Sequence, residues 1–246
     1  MLIFWHLTTY QIKIQMRAIL FCLLTIIVIS GCSKNVEYSQ EYKEKTSGRY
    51  LYNSEVVIDV YFENNDLFLK WQGEKVMKPI ILDENTFFVA DMYKKFHFVE
   101  HPQTKKRYLS VLDEDNENAI SYDYLKVSDS FKTPSMYLEN KEFDKALLGY
   151  LDIQKQDSTS VFINEIDFNR KGYELLREKK YQDAINVFKI NVALYPKSDN
   201  VYDSLADAYL RNGDSLLAFN NYKKALELNT GNDRAKEYIK KYSKNK

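Results

Sequence analysis

The chain has 246 residues, with 35 basic and 35 acidic side chains and a formal net charge of zero. This balance excludes the long-range positive potential that attracts nucleic acid, so we expect no nucleic-acid partner. A hydrophobic content of 45% is that of a globular protein, and the length allows one large domain or two small ones.

The first apolar segment runs from Ala18 to Ser30 and follows Met16-Arg17, which is the layout of a secretory signal peptide. It is shorter than the roughly 20 residues that a membrane-spanning helix needs. Ile29-Ser30-Gly31-Cys32 ends this segment and resembles the lipobox of bacterial lipoproteins. The resemblance implies that a signal peptide over residues 1–31 is removed and that a diacylglycerol is attached to the Cys32 thiol.

Residues 1–15 lack a compact basic start, so we expect translation to begin at Met16. Two or three acyl chains on Cys32 would anchor the chain, since each buried methylene contributes about 0.8 kcal/mol. Residues 32–46 then form the lipidated cysteine and a polar tether that reaches about 45 Å. Ser33 follows the cysteine where aspartate is a retention signal, which favours the outer membrane over the inner one. The alternative is an uncleaved N-terminal anchor with a chance cysteine.

From residue 47 to residue 128, short β-branched and aromatic runs alternate with polar turns. Val56–Phe62, the polar quartet Glu63–Asp66 and Leu67–Trp71 predict a hairpin. Further strands are predicted over residues 76–82, 86–90, 95–99, 107–112 and 120–125. Strands at this spacing predict a small antiparallel β-barrel or a curved meander, with a sandwich as the alternative.

Four runs carry a resemblance to the lipocalin-like accessory domain of penicillin-binding-protein-like serine hydrolases. They are Gly48-Arg49-Tyr50, Val56–Val60, Leu67-Phe68-Leu69 and Thr86–Val89. The resemblance carries no catalytic motif, and it implies an accessory role for this part of the chain.

Residues 133–246 change to helical periodicity. Gly172, Ala184, Phe188 and Pro196 recur 34 positions later as Ala206, Ala218, Tyr222 and Thr230. This period and these residue types resemble the tetratricopeptide repeat. We predict repeats over 165–198 and 199–232, a degenerate repeat over 133–157 and a capping helix over 233–244. The expected fold is therefore α+β with two domains, a β-domain followed by an α-helical tetratricopeptide-repeat array.

The sequence carries no catalytic constellation. A serine hydrolase of the family named above needs Ser-x-x-Lys, and the chain has this motif only at Ser243–Lys246, at its C-terminal end. His97 and His101 fall on one face of a predicted strand without a third ligand, so no metal site is expected. No glycine-rich phosphate loop is present, and no cofactor is expected. We predict a protein that is not an enzyme.

The resemblance to tetratricopeptide repeats implies a concave surface, lined by the first helix of each repeat, that binds a protein or peptide partner. The matching positions are Asn169, Tyr173, Arg177, Asp203, Asp207 and Arg211. Asp203 and Asp207 would repel a C-terminal carboxylate and would suit a basic or polar segment. The alternative is an ordinary solvated helix face.

These features predict a lipid-anchored, non-enzymatic protein of the bacterial cell envelope whose repeat domain mediates binding to a protein or peptide. Two alternatives stay open. The chain is a stand-alone accessory part of a serine hydrolase that lacks the catalytic domain, or its β-domain binds a small apolar ligand.

Overall fold

The computed structural model describes residues 36–113, 115–116 and 119–244. The predicted signal peptide over residues 1–31 and the predicted lipidation site Cys32 lie outside the described residues. No helix within the described ranges is long and apolar enough to cross a membrane.

The described part of the chain contains nine strands and eight helices. The strands are β1 Gly48–Leu51, β2 Val57–Glu63, β3 Asp66–Trp71, β4 Lys75–Met77, β5 Ile80–Ile81, β6 Thr86–Val89, β7 Lys94–Glu100, β8 Arg107–Leu112 and β9 Tyr124–Val127. The helices are α1 Gln40–Thr46, α2 Pro134–Glu139, α3 Phe143–Gln156, α4 Glu165–Arg177, α5 Tyr181–Leu194, α6 Asp199–Asn212, α7 Ser215–Leu228 and α8 Asp233–Lys244.

The strands form one antiparallel sheet in the order β4-β3-β2-β1-β9-β8-β7-β6-β5. The edge strands β4 and β5 are separated in the chain by only Lys78 and Pro79. Because this link spans at most about 10 Å, the sheet must curl until its edges lie near each other. The predicted curved antiparallel meander is confirmed. The single strand predicted over 76–82 is wrong, because Pro79 has no N–H for a ladder and separates two short strands.

The hairpin of β2 and β3 is confirmed, and Asn64 in its turn has a φ of 55°. The strand predicted over 120–125 begins only at Tyr124, because Tyr122 adopts left-handed backbone with a φ of 52°. Just before Tyr124, hydrogen bonds that involve side chains link the chain to β8, where a regular strand would form backbone hydrogen bonds. The Asp123 carboxylate accepts the Val111 N–H at 2.7 Å, and the Ser121 N–H donates to the Ser110 hydroxyl at 3.0 Å.

The chain folds into two compact units. Among the described residues, the first unit comprises 36–47, 60–70 and 75–123, and the second comprises 48–59, 71–74 and 124–244. The second unit therefore contains strand segments as well as the helices of the C-terminal half. Arg49 contributes to its cohesion, since its guanidinium forms a bidentate pair with Asp59 at 2.7 and 3.0 Å and donates to the Phe131 carbonyl at 2.5 Å.

In the first unit, residues 38–46 are folded, so the predicted tether is wrong for this segment. The Ser39 hydroxyl caps α1 by accepting the Tyr42 N–H. Tyr38 is buried, and its ring lies 4.9 Å from that of Phe62. Tyr38 and Tyr42 are four residues apart and give the segment an apolar face despite its many Lys and Glu side chains. The core of this unit is aliphatic and aromatic, with Leu67, Leu69, Phe87, Phe96, Phe98 and Leu109 almost fully buried.

The helices of the second unit share two apolar clusters. Leu138, Tyr150, Ile153, Phe168 and Leu194 belong to the cluster that joins α2 through α5. Leu176, Phe188, Ala206, Tyr222 and Ala235 belong to the cluster that joins α4 through α8. Each helix therefore buries its apolar stripe against its chain neighbours, as expected for stacked repeats.

Candidate functional site

The helices form tetratricopeptide-like repeats whose turns share one geometry. Lys141, Lys179 and Gly213 each adopt left-handed backbone, with φ values of 59°, 60° and 91°. In each turn the N–H of this residue bonds to a carbonyl three residues earlier, and the next N–H bonds to a carbonyl five residues earlier. This is the hydrogen-bond pattern that closes a helix at a left-handed residue. Since 179 − 141 = 38 and 213 − 179 = 34, the spacing between the first two turns is four residues longer than the repeat period.

A glycine allows α4 and α5 to approach closely. A Cβ on Gly172 would overlap the ring of Phe188, which is fully buried. Asn191, which stands where the second repeat has Ala225, is also fully buried. Its side-chain N–H donates to the Glu165 carbonyl at 3.0 Å and ties α5 to the start of α4. The Asn191 side chain therefore supplies a contact within the first repeat.

Four of the six predicted groove residues come together around Arg234, which the sequence analysis did not single out. Arg234 pairs with Asp203 through its Nε, at 3.2 Å, and through Nη2, and Nη2 also donates to the Tyr173 hydroxyl at 3.3 Å. Arg211 donates from Nε to both oxygens of Asp207 at 3.1 and 3.2 Å. The second carboxylate also lies 4.0 Å from Arg234. We call these five residues the groove network.

The groove network buries its carboxylates beneath its arginines. The side chains of Asp203 and Asp207 are 10% and 11% exposed, whereas those of Arg211 and Arg234 are about half exposed. Hydrogen bonding to Asp207 and the negative charge of that carboxylate raise the pKa of Arg211, so this guanidinium stays charged. Because the chain's own arginines neutralise the two carboxylates, the expected preference for a basic segment loses its basis.

The two remaining predicted residues stand outside this network. Arg177 is exposed near the C-terminal end of α4. Asn169 has a buried side-chain oxygen that finds no hydrogen-bond partner among the described residues. Arg234 lies on the first turn of α8, three positions before Glu237, which is where the 34-residue period places the equivalent of Asp203, so the repeat register alone would not have identified it.

The residues weighed for catalysis occupy ordinary structural positions. His97 Nδ1 bonds to the Thr86 hydroxyl at 2.9 Å, and His101 Nδ1 accepts two backbone N–H groups of its own turn at 3.3 Å. Ser243 is exposed on α8, and Lys246 lies outside the described residues. Within the described ranges, no group of three or more His, Cys, Asp or Glu side chains could hold a metal ion.

The similar proteins described below each cover less than half of the chain. No family model matches the chain. Over 97 residues it is 33% identical to Heat shock protein STI1 of Saccharomyces cerevisiae, a match that covers 39% of this chain and 16% of STI1. The chain thus spans about a sixth of this relative.

Similar solved structures include the first TPR of Spaghetti (RPAP3) bound to HSP90 peptide SRMEEVD, at 22% identity and a TM-score of 0.32. This match covers 45% of the present chain and 85% of the chain in that structure. The Arabidopsis OM64 TPR domain is 18% identical over 46% of this chain and 90% of its own, with a TM-score of 0.32. MamA of Desulfovibrio magneticus RS-1 is 20% identical over 43% of this chain and 58% of its own, with a TM-score of 0.29.

Proposed function

We propose that this chain is a non-enzymatic binding protein of the bacterial cell envelope. Its repeats bind a polypeptide segment of a partner protein, and a lipid on Cys32 holds it at the outer membrane. The observation that carries the binding role is the groove network, in which side chains from α4, α6 and α8 are fixed in one polar surface. Such prearranged side chains reduce the entropy lost when a partner binds.

The groove network favours a polar segment that offers hydrogen-bond acceptors. A guanidinium has five N–H donors, and Arg211 uses only its Nε among the described contacts. Arg177 adds a further exposed guanidinium. Counting Arg177 with the network gives three positive and two negative charges, so the surface is close to neutral with N–H groups outermost. Carbonyl, amide or carboxylate oxygens of a partner segment fit this surface better than a run of lysines.

The membrane part of the proposal is supported by Ile29-Ser30-Gly31-Cys32, since the order aliphatic, small, small, cysteine resembles a lipobox. An acylated Cys32 would concentrate the repeats next to partners at the same membrane. Cys32→Ala removes the only thiol that this resemblance assigns to the lipid. We expect the full-length variant to leave the membrane fraction.

The binding role is tested by crosslinking the full-length chain in native membranes and quantifying the attached proteins by mass spectrometry. Arg177→Glu reverses a charge beside the groove network, and Lys189→Glu reverses one on the exposed side of α5 as the matched control. We expect Arg177→Glu to lose at least one partner that the wild type and Lys189→Glu retain. Equal recovery by all three forms, or hydrolysis of an ester or amide by the purified chain, would contradict the proposal.

A further inference from the structure

A cleft of about 630 Å³ lies within the second unit, and no residue of the groove network lines it. Three carboxylates line it, those of Glu55, Glu74 and Glu139, together with the apolar or aromatic side chains of Met136, Tyr150 and Phe162. A smaller cavity of about 200 Å³ shares Glu139, Tyr150 and Phe162 with it. The two spaces are therefore lined in part by the same side chains.

The charges that line the larger cleft all have one sign. No lysine, arginine or histidine is among the described residues that line it. Glu55 is buried whereas Glu74 and Glu139 are exposed, and a cation placed near these like charges would stabilise them, the buried one most. The cleft is thus electrostatically suited to a positive group that the described chain does not itself supply.

Glu55 shows this imbalance most clearly. It is only 5% exposed, and its carboxylate accepts the Ser135 N–H at 3.1 and 3.3 Å and the Ser135 hydroxyl at 2.7 Å. These neutral donors position the carboxylate but leave its charge without a counter-ion in the described part of the chain. Burial raises the pKa of Glu55, and the nearby charge of Glu139 raises it further. A bound cation would offset both effects.

Tyr150 supplies an independent observation that points to a ligand. The residue is 4% exposed and lines both spaces, and its hydroxyl makes no hydrogen bond within the described ranges, so this hydroxyl can bond to a ligand in the cleft. Burial raises the pKa of this hydroxyl, and the charges of Glu55 and Glu139 raise it further. The hydroxyl therefore lies near Glu55 and Glu139, which are two of the three carboxylates that line the cleft.

We propose that this cleft binds a primary ammonium group carried on an aliphatic chain. An ammonium has three N–H donors, and the acceptors that line the cleft include the carboxylates of Glu55 and Glu139 and the hydroxyl of Tyr150. Met136 and Phe162 provide apolar surface for the methylene chain. The group is either the side chain of a lysine in a polypeptide or the end of a free diamine. The inference does not rest on the proposed function, since the cleft and the groove network have no residue in common.

The proposal is tested by calorimetric titration of the full-length chain at neutral pH. The charged probes are Nα-acetyl-lysine methylamide and 1,5-diaminopentane, and Nα,Nε-diacetyl-lysine methylamide is the uncharged match. Glu139→Gln and Tyr150→Phe remove one acceptor each with little change of shape. Glu174→Gln, on the exposed side of α4, is the matched control for loss of one negative charge.

We expect the diacetylated probe to bind at least tenfold more weakly than the lysine derivative. Glu139→Gln should weaken the charged probes roughly tenfold, which is the effect of losing one hydrogen bond between charged groups, and Tyr150→Phe should weaken them a few-fold. Glu174→Gln should leave binding unchanged. A thermal unfolding curve for each variant confirms that it is folded, and if Glu139→Gln is not, Tyr150→Phe decides.

The proposal fails if neither charged probe binds, if charged and acetylated probes bind equally, or if Glu174→Gln weakens binding as much as Glu139→Gln. When binding is seen, a preference for the lysine derivative identifies a polypeptide as the source, and a preference for the diamine identifies a free amine. None of these results depends on whether Arg177→Glu loses its partner, so the two proposals fail separately.

Discussion

Replacing Gly172 by alanine sets helix propensity against packing in the first repeat. In the middle of α4, alanine is favoured over glycine by about 1 kcal/mol. Against this, the new Cβ would overlap the edge of the Phe188 ring, with Cδ1 only 2.9 Å away. Phe188 is fully buried and packs edge-on against Tyr173 at 5.3 Å between ring centroids, so its ring has no free space to enter. Overpacking of this kind costs about 1–3 kcal/mol.

We predict that packing prevails and that Gly172→Ala lowers the free energy of unfolding by up to about 2 kcal/mol, which is the overpacking cost less the gain in propensity. Urea unfolding followed by circular dichroism measures this directly. Phe188→Leu should relieve the overlap, so the double variant should lose less than the sum of the two single losses. If Gly172→Ala is more stable than the wild type, or if the two losses add, the close approach of α4 and α5 is not what places a glycine here.

Three further predictions concern a turn, the groove network and a buried acid. Lys179→Gly should raise the free energy of unfolding by about 0.5 kcal/mol in the same urea assay. Glycine removes the strain of a φ of 60°, although it also increases the entropy of the unfolded chain. A lower free energy of unfolding for this variant would contradict the prediction. Arg234→Ala should lower the free energy of unfolding by about 2 kcal/mol, because it leaves buried Asp203 with only a weak partner. Lys236→Ala is the control, since Lys236 forms an exposed ion pair on the same helix, and it should lower the free energy of unfolding by less than about 0.5 kcal/mol. Glu55→Gln should change the pH dependence of stability. The pKa of Glu55 in the folded protein is raised above its ordinary value of 4.5, so the folded state holds the proton more tightly than the unfolded state does. The contribution of this group to the free energy of unfolding is therefore complete below pH 4.5 and is lost as the pH rises through the pKa of the folded state. The wild type should therefore lose stability relative to the non-titrating variant from pH 4.5 upward, and a parallel pH profile would contradict this.

The helical half could be predicted from the sequence because its determinants are local and periodic. Gly172, Ala184 and Phe188 recur at a fixed spacing, and each acts on a neighbour within the same or the adjacent hairpin. The turn at Lys179 shows that the geometry persists without its usual glycine, since the flanking helices hold a lysine in left-handed backbone. The periodic sequence pattern was sufficient to predict the helical half because the same residue types pack in the same way in each repeat.

Other features depend on contacts between distant residues. Glu55 and Ser135 are 80 positions apart, and no periodicity links them. The tether prediction was wrong from Tyr38 onward because it was based on the many charged residues of the segment. It did not consider that Tyr38 and Tyr42 lie on one face of the segment and can pack. β9 begins only after Tyr122, whose left-handed backbone angle tyrosine rarely adopts, so the residue type did not indicate the later start. The charge state of the groove was misjudged because Arg234 belongs to a helix treated only as a cap.

The central claim, that the groove surface contacts a protein partner, is tested most directly by a photoreactive amino acid at position 177 and, in a separate sample, at position 189. Both positions are exposed, but only the first lies on α4 beside the groove network. After irradiation of intact membranes, we predict a discrete crosslinked product from position 177 that is absent from position 189. The same products from both positions, or none from position 177, would contradict the claim.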